Sequence, residues 1–215
     1  MLGSARARRE RYVGEWIPEP LPDRVTLDES VNMAFLVVLE SMTPAERVAF
    51  ILHDVFRYPF IEVAEIVGRT PAACRQLASS ARRRLRVAGA PATPTPQRAE
   101  IVRNFKRAWQ AKDITALIGL LDPDATATAD GGGLALAFLR PIEGSEQIAQ
   151  AWLEIANRTP SNMALLERTV NGQPGLVAQQ DGAIVTVYAF DVAHDRIKHI
   201  WVIRNPDKLR PWTTS

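Results

Sequence analysis

Residues 75–86, RQLASSARRRLR, carry the side chains in this chain that are best suited to recognise a nucleic acid. On a helix of 3.6 residues per turn they form one polar, cationic face. That face consists of Arg75, Gln76, Ser79, Arg82, Arg83 and Arg86. The opposite, apolar face consists of Ala73, Cys74, Leu77, Ala81 and Leu85. We therefore expect the apolar face to pack on its own domain and the cationic face to meet a polyanion. A basic helix that is merely solvated is the alternative.

The residues just before this helix predict that it is the second helix of a helix-turn-helix. The run FIEVAEIV, residues 60–67, is apolar with helical spacing. Gly68 then permits a tight turn that a Cβ would strain, and Thr70 before Pro71 is typical of a new helix start. In a helix-turn-helix, the second helix enters the major groove and meets base edges near its N-terminal half.

This arrangement divides the polar side chains between two roles. Arginine and glutamine can bond bidentately to guanine and adenine, whereas contacts to phosphate fix the position of a protein without reading sequence. The predicted base contacts are Arg75, Gln76 and Ser79. The predicted phosphate contacts are Thr70, Arg82, Arg83 and Arg86. The free amides at the start of the helix would assist Thr70.

Helices earlier in the chain must hold this recognition helix in place. Thr26 and Thr43 are each followed three residues later by a glutamate, which is the spacing of a capping box. Helices are therefore expected over VNMAFLVVLE, residues 31–40, and through RVAFILHDVF, residues 47–56.

The stretch AGAPATPTPQ, residues 88–97, is a predicted linker, because prolines favour extended backbone and nothing large is available to pack. Beyond it, helices give way to strands, which indicates an α+β domain. The predicted helices are RAEIVRNFKRAWQAKD, ITALIGLL and EGSEQIAQAWLEIANR. The predicted strands are ATATAD, MALLERTVNG, GAIVTVYAFDV and DRIKHIWVIRN.

Helix-stop, helix-capping and turn residues indicate where these elements begin and end. We expect Asp122-Pro123 to stop a helix and Ser145 to cap one. Turns between strands are predicted at three residue pairs, Asn171-Gly172, Asp181-Gly182 and Asp195-Arg196.

The composition is that of a globular protein with a basic first half. The 215 residues are 47% hydrophobic and 23% charged with a net charge of +2, yet arginines crowd the first hundred residues. A basic half suggests a polyanionic partner. Cys74 is the single cysteine, which excludes an internal disulfide and a cysteine-based zinc site and fits a reducing cytoplasm. The first residues lack the apolar core of a signal peptide, and no apolar run is long enough to span a membrane.

Few residues suit catalysis. An enzyme would need an acid or a base in a pocket, but no dyad or metal-ligand spacing emerges, and DGGG without a following lysine is not a phosphate-binding loop. We expect His53 to be structural and His194 to be exposed in a turn. His199 shares a strand face with Trp201 and either lines a pocket or is a hydrogen-bonded core histidine. We therefore expect no catalytic residue, no metal and no cofactor.

Residues 42–86 resemble, along their whole length, region 4 of bacterial sigma factors of the extracytoplasmic function (ECF) group. Three further segments narrow the resemblance to members with a SnoaL-like C-terminal extension. They are RRERYVGEWIPEPL at 8–21, DGGG at 130–133 and NPDKL at 205–209. The fold class that the resemblance implies is α + (α+β): a helical region 4 with its helix-turn-helix, then a SnoaL-like (nuclear transport factor 2-like) cone domain.

The resemblance also implies an organisation and a set of contacts. The domains would be an inter-region linker at 1–25, region 4 at 26–87, a linker at 88–97 and the SnoaL-like domain at 98–215. Region 4 would recognise the −35 promoter element and dock on core RNA polymerase, while the extension would modulate activity by intramolecular contacts. The residues implied in those contacts are Tyr12, Trp16, Asp130, Gly131, Gly132, Gly133, Asn205, Pro206, Asp207 and Lys208.

Two departures from the family pattern matter. The chain begins where region 2 should end, so we expect region 2 of a full-length chain, which melts the −10 element, to be a further partner. The family loop is usually DGGGK, but Leu134 follows the glycines here, which argues against a lysine contact from the loop.

Other functions stay open at this point. A conventional repressor or activator with the same helix-turn-helix would ordinarily need a dimer and paired half-sites. A SnoaL-like isomerase or cyclase, or a small-ligand sensor fused to a helix-turn-helix, would place the function in a pocket of the C-terminal domain. The apolar Tyr12, Trp16 and Ile17 need burial, so their segment is expected to pack against one of the domains.

Overall fold

The computed structural model of the chain describes residues 17–22, 33–87 and 96–213. The chain divides into two units, Ala34–Ala92 and Met1–Met33 together with Thr93–Ser215. We call them the helical unit and the sheet unit and describe each by itself. The predicted cap at Thr26, the side chains of Tyr12 and Trp16, and most of the predicted linker 88–97 lie outside the described residues.

The helical unit contains the predicted helix-turn-helix. Its elements are α1 (Met33–Ser41), α2 (Pro44–Phe50), a π-helical turn (Ile51–Val55), α3 (Phe60–Val67) and α4 (Pro71–Val87). Thr43 and Glu46 form the predicted capping box at the start of α2. Gly68 ends α3 as predicted, with the left-handed φ of 67° that a residue without a Cβ adopts readily.

The expected helix through residues 47–56 is α-helical only in its first part. At its end the N–H of Phe56 bonds to the carbonyl of Ile51, five residues earlier, at 3.1 Å. That spacing is the π-helical pattern, which widens the helix by one residue and is frequent at functional sites. The turn therefore presents His53 and Asp54 at positions that an α-helix would not give them.

A small apolar core holds the helical unit together. Ala49, Val63, Ala64 and Cys74 form one buried cluster, and Met42, Phe50 and Ala81 form a second. Cys74 is thus a buried small hydrophobe, as the sequence predicts.

The sheet unit is an α+β domain. Its helices are α5 (Pro96–Ala111), α6 (Ile114–Leu120), α7 (Ser145–Arg158) and α8 (Pro206–Thr213). Its strands are β1 (Leu121–Asp130), β2 (Ile142–Glu143), β3 (Met163–Val170), β4 (Gln173–Gln180), β5 (Ala183–Ala193) and β6 (Arg196–Ile203). The strand order is β2-β1-β6-β5-β4-β3, in which β1 and β6 are parallel and all other neighbours are antiparallel.

The two faces of the sheet carry different side chains. Ala127, Ala129 and Val202 belong to the core that α5, α6 and α7 cover. Because side chains alternate along a strand, Asp130 and Ile203 face the opposite side. Asp130 bonds there to the segment 17–22 and to α8, which places both on this second face.

The helix α6 ends at Leu120, just before the predicted stop at Asp122-Pro123. These two residues then lie inside β1, where an irregularity between Leu121 and Thr126 takes the proline out of the regular ladder. Three other local predictions in the sheet unit are wrong. Ser145 is the first helical residue of α7, whose N-cap is Gly144. The last turn is at His194 and Asp195, one residue earlier than predicted, because β6 already begins at Arg196.

The third error is an omission: the sequence pattern does not predict β4. Pro174 and Gly175 lie near its start, and Leu176–Ala178 at its centre are buried on both faces, so that the strand shows no alternation. Among the described helices, none is long and apolar enough to cross a bilayer.

Candidate functional site

The recognition helix α4 begins as the sequence predicts. Pro71 is its first residue, and the hydroxyl of Thr70 accepts the N–H of Ala73 at 3.2 Å. The side chain of Thr70 is exposed, so it can also donate its hydroxyl hydrogen to a phosphate.

The predicted division of α4 into two faces is present. Cys74, Ala78 and Ala81 are fully buried. On the other side the exposed side chains are Arg75, Gln76, Ser79 and Arg83. Arg86 lies in the helix, but its side chain is outside the described residues. The face is therefore available to a ligand along at least two turns.

The guanidinium of Arg75 rests on an aromatic platform. Its Cζ lies 5.8 Å from the centre of the Phe60 ring, within the range of a cation–π contact. His53 stacks on Phe60 with ring centres 3.7 Å apart, and its Nδ1 is 2.9 Å from the carbonyl oxygen of Tyr58. His53 is thus structural, as predicted, and the stack that it joins restrains the guanidinium of Arg75.

Arg82 is already paired within the unit. Its Nε lies 2.8 Å from Oδ1 of Asp54, on the π-helical turn. The side chain is 39% exposed, so part of the guanidinium still faces solvent. Oδ2 of Asp54 is buried and has no hydrogen-bond partner among the described residues. Sequence spacing alone does not reveal Asp54, because the turn that carries it is irregular.

Glu46 neutralises another arginine of α4. Burial acts to raise the pKa of Glu46, but hydrogen bonds from the Thr43 backbone and the Ser80 and Thr43 hydroxyls, with Arg84 nearby, bring that pKa below its ordinary value. Its Oε1 is 2.8 Å from the Ser80 hydroxyl and 3.7 Å from Nε of Arg84. Among the arginines of α4 whose side chains the structure describes, Arg75 and Arg83 are consequently the more available cations.

A surface depression runs beside α4, with a volume of about 570 Å³. It brings together three of the predicted DNA contacts, Gln76, Ser79 and Arg83. Arg69, from the turn after Gly68, also lines it. Sequence reasoning missed Arg69, although its place in the turn of the motif was a usable signal.

In the sheet unit, the three family segments meet at one buried carboxylate. Asp130, at the end of β1, is fully buried. Its Oδ2 lies 2.6 Å from Nζ of Lys208 and accepts the N–H of Ile17 at 3.4 Å, while Oδ1 accepts the N–H of Gly132 at 3.0 Å. Lys208 also donates to the carbonyl of Ile17. We call these residues, Ile17, Asp130 and Lys208, the buried node.

The glycines beside the node are required by close contacts. A Cβ on Gly131 would lie 2.1 Å from the carbonyl oxygen of Ala135. A Cβ on Gly132, where φ is +62°, would lie 2.5 Å from the Asn205 side chain. The loop is therefore not a plain flexible turn. Gly133 is exposed with φ of 74°, and Leu134 after it is 71% exposed.

Residues 204–208, which follow β6, make the remaining contacts around the node. The N–H groups of Arg204 and Asn205 donate to the carbonyl of Asp130 at 2.7 and 3.0 Å. The side-chain oxygen of Asn205 accepts the N–H of Asp207 at 3.1 Å, at the start of α8, where Pro206 is the first helical residue. Asp207 itself pairs with Arg210 at the surface.

The described part of the linker segment packs on the sheet unit, as predicted. Leu21 and Asn171 bond reciprocally: the Leu21 N–H donates to Oδ1 of Asn171 at 2.7 Å, and the Asn171 N–H donates to the carbonyl of Leu21 at 2.9 Å. The indole N–H of Trp212 donates to the carbonyl of Pro20 at 2.8 Å. Sequence reasoning missed both partners, since Asn171 looked like a turn residue only.

The remaining histidines show no catalytic grouping. His199 accepts or donates at 2.9 Å to the hydroxyl of Thr128 and stacks beside Trp201, and burial lowers its pKa to about 4. It is thus the hydrogen-bonded core histidine of the two alternatives. His194 is exposed in its turn. No cluster of potential metal ligands occurs within the described ranges.

Comparisons with known proteins identify sigma factors among the relatives of this chain. The family Sigma-70, region 4 matches residues 32–85. The chain is 36% identical over 231 residues to "ECF RNA polymerase sigma factor SigJ" of Mycobacterium tuberculosis, covering 97% of this chain and 73% of that protein. It is 32% identical to "Probable ECF RNA polymerase sigma factor SigI" of the same species, covering 88% and 63%. The crystal structure of the SigJ protein aligns with a TM-score of 0.74 at 33% identity, over 97% of this chain and 79% of that one.

Proposed function

The chain belongs to the extracytoplasmic function RNA polymerase sigma factors that carry a SnoaL-like C-terminal domain, and on this premise we propose how its parts work. The predicted fold class, a helical region 4 followed by a nuclear transport factor 2-like α+β domain, is confirmed. We propose that α4 reads the −35 promoter element and that the sheet unit modulates activity by intramolecular contacts through the linker segment it holds. The observation that carries the first part is the exposed polar face of α4, with Arg75 placed over Phe60.

The proposed roles follow the position of each residue along α4. Base edges are read by Arg75, Gln76 and Ser79. Phosphates are held by Thr70, Arg82, Arg83 and Arg86. The platform under Arg75 supports a reading role because it limits the orientations of the guanidinium, and a bidentate contact to guanine needs one orientation.

Two alanine substitutions test this division of roles. The DNA is a labelled duplex that the 215-residue chain selects from a randomised library, and binding is followed by fluorescence anisotropy between 50 and 200 mM salt. Arg75→Ala should weaken binding to the selected duplex by about 1–3 kcal/mol and relax preference at one base pair. Arg83→Ala should weaken binding to every duplex, and the slope of log affinity against log salt concentration should become smaller in magnitude by about 1.

The matched control removes the same charge from the sheet unit. Arg158 is exposed at the end of α7, and Arg158→Ala should leave both affinity and salt slope unchanged. Equal losses on all DNA from Arg75→Ala and Arg83→Ala would contradict the assignment of base reading to Arg75.

A second surface of the helical unit supports docking on core RNA polymerase. Large apolar side chains are exposed within a short stretch of chain, residues 55–66. They are Val55, Phe56, Tyr58, Ile61 and Ile66. Clustered exposed apolar side chains mark protein contacts, whereas the polar face of α4 suits DNA. Phe56→Ser with Ile61→Ser should weaken capture of core polymerase and leave binding to the selected duplex unchanged.

The buried node supports the proposed modulation. It clamps the backbone of Ile17 between Asp130 and Lys208, so that the linker segment is fixed to the sheet unit. In the family, that segment leaves region 2. We infer that the clamp sets how freely region 2 of a full-length chain can be used, with Asp130–Gly133 and Asn205–Lys208 as the holding residues.

We infer that the chain is not an enzyme. The apolar cavity between the helices and the sheet, lined by Trp109 and Tyr188, has no aspartate, glutamate or histidine among its described lining residues. Its tyrosine, Tyr188, is too weak an acid to exchange protons near neutral pH, because burial raises its pKa to about 12. A protein that works on promoter DNA with polymerase acts in the cytoplasm of a bacterium, and we place this one there.

A further inference from the structure

The sheet unit contains a cavity that promoter recognition does not use. Its volume is about 310 Å³, and it lies between the helices and the sheet, on the face opposite to the buried node. Trp109 of α5, Ile155 of α7, Leu165 of β3 and Tyr188 of β5 form its walls. Pockets of this size that bury apolar side chains are typical of small-molecule sites.

The size of the cavity limits the ligand. An apolar protein cavity of about 150 Å³ accommodates one benzene ring. A cavity twice as large therefore suits a molecule of two fused rings. The walls are aromatic and aliphatic, and Trp109 and Tyr188 stand edge to face with ring centres 5.3 Å apart, which gives a flat ligand a wall to pack on.

Polar side chains in the lining, some buried and some exposed, limit the polar groups that a ligand of the cavity can carry. Among the buried lining residues, Tyr188 stays protonated and has bonding capacity beyond its hydrogen bond with Thr186. At the open side, Gln110, Lys112 and Thr159 are exposed. Lys112 is the single charged residue of the lining and makes no ion pair with any of the described residues. An anionic group would complement it.

We propose that this cavity is a binding site for a small two-ring aromatic anion, such as a fused-ring carboxylate. The rings occupy the apolar walls, and the carboxylate lies at the rim beside the ammonium of Lys112. The site is separate from the surface that reads DNA, so the proposal does not depend on the assignment of α4.

The test uses 2-naphthoate and the whole 215-residue chain. Binding is measured by titration calorimetry and by quenching of tryptophan fluorescence, to which the cavity residue Trp109 contributes. Ala156→Phe fills the cavity from α7 and should weaken binding about tenfold or more, because the added ring takes the apolar surface that the probe would cover. Ala183→Phe adds the same ring at an exposed site of the same unit and should have no effect.

A second pair of variants tests the charge. Lys112→Met should weaken binding of 2-naphthoate about fivefold, as expected for a solvent-exposed ion pair, and should not affect the neutral 2-naphthamide. Lys198→Met, another exposed lysine of the sheet unit, should change neither. If Ala156→Phe fails to fold, Thr159→Phe at the exposed rim blocks entry instead.

Each outcome decides the proposal. Equal binding by the unaltered chain, Ala156→Phe and Thr159→Phe would overturn the site. Equal binding of the amide and the carboxylate, with no loss in Lys112→Met, would overturn the anionic class. Promoter binding measured on the same samples shows whether α4 works, whichever result is obtained.

Discussion

Lys208→Met is the substitution that most directly tests the buried node. The ammonium of Lys208 lies 2.6 Å from a carboxylate oxygen of Asp130, and both side chains are buried. Without it, the carboxylate would keep the backbone N–H donors of Ile17 and Gly132 but would lose the ammonium that lies 2.6 Å away. Removing one partner of a buried ion pair costs about 3–5 kcal/mol, which is a large share of the stability of a domain.

The magnitude can be read from urea unfolding at pH 7. The sequence of the helical unit, residues 34–92, contains no tryptophan, so tryptophan fluorescence does not report on the unfolding of that unit. A urea slope of about 1–3 kcal/mol per molar converts the loss into a drop of the midpoint by at least about 1 M. Hydrogen exchange at the amide of Ile17 should become faster in the same variant, because one of the groups that clamps it is gone.

Two controls separate the ion pair from the loss of a lysine. Lys106 pairs with Glu167 at 3.1 Å near the surface, and Lys106→Met should cost no more than about 1 kcal/mol. Asp130→Asn combined with Lys208→Met removes both charges and should cost less than Lys208→Met alone. A loss below 1 kcal/mol in Lys208→Met, or strictly additive effects in the double variant, would refute the reasoning.

Three further predictions follow from local geometry. Gly132→Ala should lower the free energy of unfolding by about 2 kcal/mol or more, and Gly182→Ala by about 1 kcal/mol. Both glycines have positive φ, but only at Gly132 would the added Cβ meet a side chain, that of Asn205. Equal urea midpoints of the two variants would contradict this. Burial lowers the pKa of His199 from 6.5 to about 4 in the folded state. Between these pH values the unfolded state binds a proton that the folded state does not, so the free energy of unfolding should fall by up to about 3 kcal/mol as the pH drops from 6.5 toward 4. In His199→Gln the urea midpoint should fall less over that range, and an unchanged pH dependence would exclude His199 as the cause. Asp54→Asn should release Arg82 and steepen the salt dependence of DNA binding by about 1, whereas Glu62→Gln, an exposed acid on α3, should not; the same slope in both variants would count against the pairing.

Local signals account for the parts of the fold that the sequence predicts well. Thr43 with Glu46 and Gly68 act through contacts within a few residues, so their positions are readable from the chain. The two faces of α4 follow from helical spacing alone. The correct starts and ends of α3 and α4 depend on such short-range chemistry.

The parts that could not be predicted depend on contacts distant in sequence. The strand β4 is recognisable only through its pairing with β3 and β5, since Pro174 and Gly175 are poor strand formers. Asp54 reaches Arg82 because a π-helical turn carries it there. The family resemblance marked Asp130 and Lys208 as contacts, but their burial as a pair follows from how the sheet is ordered.

The parallel pairing of β1 with β6 determines which parts of the sheet unit can change in length. Ala129 lies beside Val202 and Asp130 beside Ile203. The register between these two adjacent strands therefore fixes the position of the DGGG loop, residues 130–133, relative to NPDKL, residues 205–209. The hairpin between β4 and β5, at Asp181 and Gly182, contributes nothing to that register. A peptide tag or a fluorescent label inserted at this hairpin should therefore be accepted without disturbing the clamp, which makes it a practical attachment site for following the protein on polymerase.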